Sequence, residues 1–160
     1  QMCQTSGAIY AISCPIKNCN KKYFGSSKRK IKERIGEHIG DAAKLLEPDP
    51  KSKDSFTKHL KDDHGDDFFD MVYNWVVENK WGEKADQGMG REILWQFFEA
   101  NLVKKPSMRF VGTLNCTLCA AERSIIWLNM RKGVAMNQNS DWHGFCRHKG
   151  KDKVTNLVYR

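Results

Sequence analysis

The chain has 160 residues, 40% of them hydrophobic and 29% charged, which fits one soluble globular domain with a sizeable core. No run approaches the roughly eighteen apolar residues a membrane-spanning helix needs, and the N-terminal "QMCQTSGAIY" lacks the basic start and apolar stretch of a signal peptide. Lys and Arg outnumber Asp and Glu by 27 to 19, a formal charge of +8 that favours an anionic partner, most commonly a nucleic acid.

The charge is unevenly placed. Lys17, Lys21, Lys22, Lys28, Arg29, Lys30, Lys32 and Arg34 face a single Glu33 between residues 17 and 34, and "RHKGKDK" near the C-terminus is also basic. Asp62, Asp63, Asp66, Asp67 and Asp70 form an acidic stretch. Lys21, Lys22, Lys28, Arg29 and Lys30 are the candidate phosphate-binding residues. Beginning at Gln1, the chain reads as a piece of a longer polypeptide. Its six cysteines include the pairs Cys14/Cys19 and Cys116/Cys119, with histidines elsewhere. That spacing without a secretion signal points to metal thiolates in an intracellular setting rather than to disulfides.

Along the chain, "AIYAIS" and "KKYFGS" read as strands joined by a turn containing Pro15, Asn18 and Asn20, so a β-hairpin is the first element. "SSKRKIKERIGEHIGDAAKLL" carries Ile31, Ile35 and Ile39 at four-residue intervals and predicts an amphipathic helix, with Ser26 or Ser27 as its cap. "EPDPKSKD" is a linker by composition, and "SFTKHLKDDHG" a short helix stopped by Gly65. Phe69, Met71, Tyr73, Trp75 and Val77 alternate, predicting a strand. "ENKWGEKADQGMG" reads as a loop, and "REILWQFFEANLV" and "CAAERSIIWLNM" as helices. The order predicts an α+β fold, a small sheet with helices packed on it. The whole of 1–160 is taken as one domain, with a core over about 7–140 and a basic, Cys/His-containing tail over 141–160.

Arg34 and His38 lie one helical turn apart and share a face. Preceded by a hairpin bearing Tyr10 in "GAIY" and Tyr23 in "YFGSS", they make the chain resemble the GIY-YIG endonucleases, whose mixed sheet opens on such a hairpin. The resemblance covers most of the chain. It implies a catalytic set of Tyr10, Tyr23, Arg34, His38, a metal-binding Glu and a later Asn. Glu92, Glu99 and Glu122 all compete for the Glu. Family members place the Asn about fifteen residues after it, which selects Glu122 and Asn137, with Glu99 in "FFEANLVKK" as the fallback.

Cysteines between the tyrosine runs, with His59 and His64 downstream, narrow the resemblance to the endonuclease domain of Penelope-like retroelements. The resemblance implies a Cys2His2 zinc insertion built from Cys14, Cys19, His59 and His64, with no open position and hence structural. "NCTLCAAERSIIW" and "FCRH" are similar to the same elements and suggest a second metal site from Cys116, Cys119, Cys146 and His148. The implied activity is hydrolysis of a DNA phosphodiester, with Mg2+ or Mn2+ on Glu122, leaving a 3′-hydroxyl that can prime reverse transcription. The implied partners are DNA, a reverse transcriptase domain in the same polypeptide and its template RNA, and no membrane; the implied location is the nucleus. Two other readings compete: a zinc-stabilised nucleic-acid-binding module without activity, and a homing or repair nuclease of the same family.

Overall fold

A computed structural model of the chain describes residues 4–80, 90–107, 110–111 and 115–142. The hairpin forms as expected. Strand β1 (Ser6–Ser13) pairs antiparallel with β2 (Lys22–Lys30), and the register sets Tyr10 opposite Gly25 and Ile12 opposite Tyr23. Helix α1 (Ile31–Ala43) follows without a break and ends in a 3-10 turn, Lys44–Leu46. The α1 cap is Lys30, whose side chain makes no capping bond, rather than Ser26 or Ser27. Both serines belong to β2, and Ser26 is engaged elsewhere.

After the linker come α2 (Ser55–Lys58) and a π-helical turn, His59–Asp63, that continues it. Gly65, at φ +56°, takes the left-handed conformation that stops the segment. The remaining elements are α3 (Asp67–Glu78), α4 (Gly90–Leu94), β3 (Ala100–Lys104), β4 (Phe110–Val111), β5 (Asn115–Cys116), α5 (Thr117–Arg131) and α6 (Asn139–Trp142).

Two segments take a secondary structure other than the expected one. Residues 69–77 are helical, because two apolar stripes run side by side along α3. Phe68 and Val72 are buried, while Phe69, Tyr73 and Val77 stay exposed. The exposed 69/73/77 stripe interleaves with the partly buried Met71 and Trp75, which mimics strand alternation, and acidic Asp67 and Asp70 in the first turn favour the helix through its dipole. The helix expected over "REILWQFFEANLV" stops at Leu94, and Ala100–Lys104 pairs with the outer edge of β1 instead. An unpaired edge on the central strand would leave its N–H and C=O groups without partners, and that requirement outweighs local helix propensity.

The three-stranded sheet has the order β2-β1-β3, antiparallel throughout. The outer edge of β2 is covered too: Lys22 accepts from the Met136 N–H (2.9 Å) and donates to the Val134 carbonyl (2.8 Å), a single parallel bridge. So the mixed sheet expected from sequence amounts to an antiparallel sheet plus this one bridge among the described residues.

Burial on both faces explains why β1 is almost wholly apolar. Tyr10 and Ile12 face Ile31, Ile35 and Ile39 of α1, with Phe56, Leu60, Phe68 and Leu94 completing that core. On the other face Ile9 packs with Leu118 and Cys119, and Ala11 with Phe24 and Ile126. Helices therefore cover both faces. No helix among the described residues is long and apolar enough to cross a membrane.

Asn137 extends the edge contact with its side chain. Its Oδ1 accepts from the Phe24 N–H and its Nδ2 donates to the Phe24 carbonyl, both at 2.9 Å, inside the protein. The amide thus completes the ladder where the backbone of 134–136 departs. Asn137→Ala strands two buried backbone groups, and urea denaturation is expected to show a loss of about 2–4 kcal/mol; a loss below about 0.5 kcal/mol would contradict this role.

Candidate functional site

Four elements bring polar side chains together around the middle of the β1–β2 hairpin. Tyr10 comes from β1, Tyr23 from β2, Arg34 and His38 from α1, and Glu122 from α5. Tyr10 is fully buried and lies 2.8 Å from His38 Nε2. The Tyr23 ring centroid is 6.5 Å from that of Tyr10 and 4.8 Å from the His38 ring. Gly25 makes this closeness attainable. A Cβ there would fall 2.5 Å from the Tyr10 oxygen and 3.1 Å from the Tyr23 ring, so no larger residue fits beneath the pair.

Arg34 donates to Glu37 at 2.6 Å and also interacts with the Tyr10 hydroxyl. Arg29 reaches the other oxygen of Glu37 at 2.7 Å, so Glu37 holds both arginines, of which Arg34 interacts with Tyr10. Glu122 Oε2 accepts from the Ser26 hydroxyl at 2.7 Å, which ties α5 to β2.

Electrostatics separates the roles of these groups. Burial pushes Tyr10 well above the ordinary phenol value; Arg34 pulls it back only in part, and Glu122 raises it again. Burial raises Tyr23 likewise, with Tyr10 and Asp141 adding to the effect. Both phenols are therefore neutral hydrogen-bonding groups at physiological pH. Burial also raises the Glu122 carboxyl, and the Asp141 carboxylate adds to this against the opposing Ser26 hydrogen bond. A cation at Glu122 would offset the charge that burial and Asp141 make costly.

Two residues at this site went unnoticed in the sequence. Asp54 lies in the stretch assigned to a linker, yet its Oδ2 accepts from His38 Nδ1 at 2.7 Å. Its Oδ1 accepts from the Thr57 N–H and hydroxyl, both at 2.8 Å, in a capping box that starts α2. The sequence signal was Asp-x-x-Thr ahead of "SFTKHL". Asp141 accepts from the Ser55 hydroxyl (2.6 Å) and the Gln138 N–H (2.8 Å), joining α6 to the start of α2.

The second cluster is a set of four metal-type ligands: Cys14 and Cys19 from the hairpin turn, His59 and His64 from the π-helical segment. Their ligand atoms lie within 4.8 Å of one another. Cys14 Sγ is 3.4 Å from His64 Nε2, Cys19 Sγ is 3.4 Å from His59 Nε2, and the two Nε2 atoms are 3.1 Å apart. Ligand bonds of the usual S and N lengths around a tetrahedral ion give edges of about 3.3–3.8 Å, close to this spacing.

The π-helical turn contributes directly. In an α-helix, five residues turn a side chain roughly 140° away; the wider π turn brings His64 back towards His59. His59 Nδ1 donates to the Asp63 carboxylate at 2.7 Å, which leaves its Nε2 lone pair directed at the other ligands. Burial lowers the His59 pKa and pushes the Cys14 thiol up to about 12, so a neutral imidazole and a protonated thiol await a cation that displaces the proton. The four side chains can hold a metal ion.

Other expected site residues lie apart. Asn137 sits behind Phe24, within the sheet. Glu99, the fallback for Glu122, is exposed just ahead of β3, where its carboxylate accepts from Asn101. Cys116 and Cys119 are buried with Ile9 and Leu118, whereas Cys146 and His148 fall outside the described residues. Among the basic residues, Lys22 and Lys30 are exposed, Lys28 is partly so, and Arg29 is paired with Glu37. Lys21 acts electrostatically on His59.

No protein-family model, curated protein or solved structure matches this chain. The chemistry of the residues is therefore the ground for any assignment.

Cys19→Ser removes one of four ligands. Metal analysis of the purified chain is expected to show one equivalent of divalent transition metal fewer than in the wild type, with a lower melting temperature. Equal metal content in the two proteins would rule out this cluster as a metal site.

Proposed function

We propose that the chain is a metal-dependent DNA endonuclease of the GIY-YIG type, resembling the endonuclease domain of Penelope-like retroelements. The observation that carries this reading is the convergence of Tyr10, Tyr23, Arg34, His38 and Glu122 from four separate elements, with the Tyr10 oxygen 2.8 Å from His38 Nε2. Two phenols, a guanidinium, an imidazole and a carboxylate beside a basic strand end suit a phosphodiester better than a neutral substrate.

Glu122 would hold a Mg2+ or Mn2+ ion, which supplies electrostatic stabilisation to the phosphate and the leaving 3′ oxygen when bound. Arg34 stabilises charge on the phosphate, for which a planar two-pronged donor suits better than Lys. Glu37 keeps that guanidinium pointed towards the tyrosines. Tyr10 is too strongly disposed to remain protonated to serve as a preformed base. It accepts a proton from the attacking water only as it passes its own to His38. Tyr23 donates a hydrogen bond to the phosphate or the water. Asn137 and Gly25 keep β2 in the shape that places both phenols.

Zinc suits the second cluster. Two thiols and two imidazoles fill a tetrahedral shell with no open position, so the ion is structural and fastens the hairpin turn to the α2 segment. The products are a 5′-phosphate and a 3′-hydroxyl. A nick of that kind primes reverse transcription, which would make a polymerase domain in the same polypeptide and its template RNA the partners, and the nucleus the place of action.

Supercoiled plasmid with Mg2+ tests the assignment of residues. Arg34→Ala and Glu122→Ala are each expected to slow nicking by about 100-fold or more, while gel-shift assays still detect DNA binding. Wild-type rates from both variants would remove the proposed chemistry, and tight binding without cleavage by the wild type would favour a non-catalytic module.

A further inference from the structure

We infer that Asp54 is a positioning residue that fixes the His38 tautomer, so that His38 Nε2 is the acceptor for the Tyr10 proton. This rests on the nuclease reading of the site for its catalytic consequence, but not for its geometry. Three hydrogen-bonding groups line up across three elements: Tyr10 O to His38 Nε2 at 2.8 Å, then His38 Nδ1 to Asp54 Oδ2 at 2.7 Å. His38 is 1% exposed, so neither ring nitrogen turns to solvent for a substitute partner.

A carboxylate only accepts, so the hydrogen on a neutral His38 sits on Nδ1. Nε2 then carries the lone pair, and the Tyr10 hydroxyl donates to it. Asp54 is itself held still. Burial acts to raise its carboxyl, but the bonds from His38 and Thr57 outweigh this and keep it below the ordinary range. It also begins α2, so it cannot swing away without uncapping that helix.

The proton path balances. As the water oxygen bonds to phosphorus, the water proton moves to the Tyr10 oxygen and the Tyr10 proton moves to His38 Nε2. The phosphorus–O3′ bond breaks, and the leaving oxygen takes a proton from solvent. The imidazolium, stabilised beside Asp54, returns the Nε2 proton to the Tyr10 oxygen as Tyr10 releases the proton taken from water to solvent entering the vacated site, so the hydrogen on Nδ1 stays in place. One water is consumed and the protein is restored. The ionisable groups around the Tyr10–His38 pair are Tyr23 from the second strand, Arg34 from the same helix, Asp54 from the start of α2, and Glu122 and Asp141 acting on the phenols.

Asp54→Asn is the discriminating change, because Asn caps a helix about as well as Asp. Its carboxamide turns an N–H towards Nδ1, moves the imidazole hydrogen to Nε2 and so blocks acceptance from Tyr10. Nitrogen-15 NMR of imidazole-labelled protein is expected to show the Nδ1–H tautomer at His38 in the wild type and the Nε2–H tautomer in Asp54→Asn. Plasmid nicking at pH 7 by the variant is expected to fall at least about 50-fold. Its rate is expected to keep rising with pH where the wild type has levelled off, because hydroxide replaces the lost acceptor.

An Nε2–H tautomer in the wild type overturns the inference without need of any variant. A folded Asp54→Asn protein with wild-type rate and pH profile overturns it as well. If the wild type has the Nδ1–H tautomer but cleaves no DNA, the nuclease reading fails and the orienting role of Asp54 stands.

Discussion

A buried imidazole must satisfy both of its nitrogens from within the protein, and at His38 this single requirement organises the site. Its partners come from the central strand and from the start of α2, so satisfying His38 fixes where those elements sit relative to α1. Tyr10 has little freedom because it is packed in the core and Gly25 lies directly beneath its ring. Asp54 has little freedom because it caps α2. The imidazole is therefore held from both sides by groups that are themselves fixed, which is what a catalytic constellation requires of its supporting residues.

The same carboxylate links this chain to the Cys/His cluster. From Asp54 the segment runs through α2 into the π-helical turn, whose ends supply His59 and His64. Cys14 and Cys19 lie in the hairpin turn between the two tyrosine-bearing strands. A metal ion there would close a loop from β1 through the turn to α2 and back through Asp54 and His38 to Tyr10. Strand β2 serves as the platform on the other side. Along it, Tyr23 and Gly25 shape one face, Phe24 is clasped by Asn137, and Ser26 holds Glu122. Consecutive residues of one strand thus connect the core, the sheet edge and the α5 carboxylate.

Much of this was legible from sequence where information is local. The hairpin stood out as two apolar runs flanking turn residues, and α1 as the Ile31, Ile35, Ile39 stripe. The α+β class followed. Misreadings arose where two periods overlap or where distant partners decide. In α3, the exposed 69/73/77 stripe and the partly buried Met71 and Trp75 interleave and imitate alternation. Residues 100–104 form a strand because the edge of β1 requires one, and nothing within those residues announces it. Asp54 was hidden for a similar reason. It sits among Pro, Lys and Asp residues, and its meaning comes from His38 on another helix. The ligand set Cys14, Cys19, His59 and His64 was reached by resemblance, since forty or more residues separate each hydrogen-bonded Cys–His pair and spacing alone does not match one with the other.

The charge distribution also takes on physical meaning once folded. Arg29 and Arg34 share Glu37, which holds the Arg34 guanidinium that interacts with Tyr10 in a defined orientation. Glu122 and Asp141 add negative charge that acts on the same phenols. On the proposed reading, this arrangement hydrolyses DNA with help from a divalent cation. The most direct measurement treats supercoiled plasmid with the wild-type chain and Mg2+, then exposes the product to DNA ligase. The account predicts nicked circles that ligase reseals, and no nicking when EDTA replaces Mg2+. Intact plasmid, nicking that persists in EDTA, or nicks that ligase leaves open would contradict it.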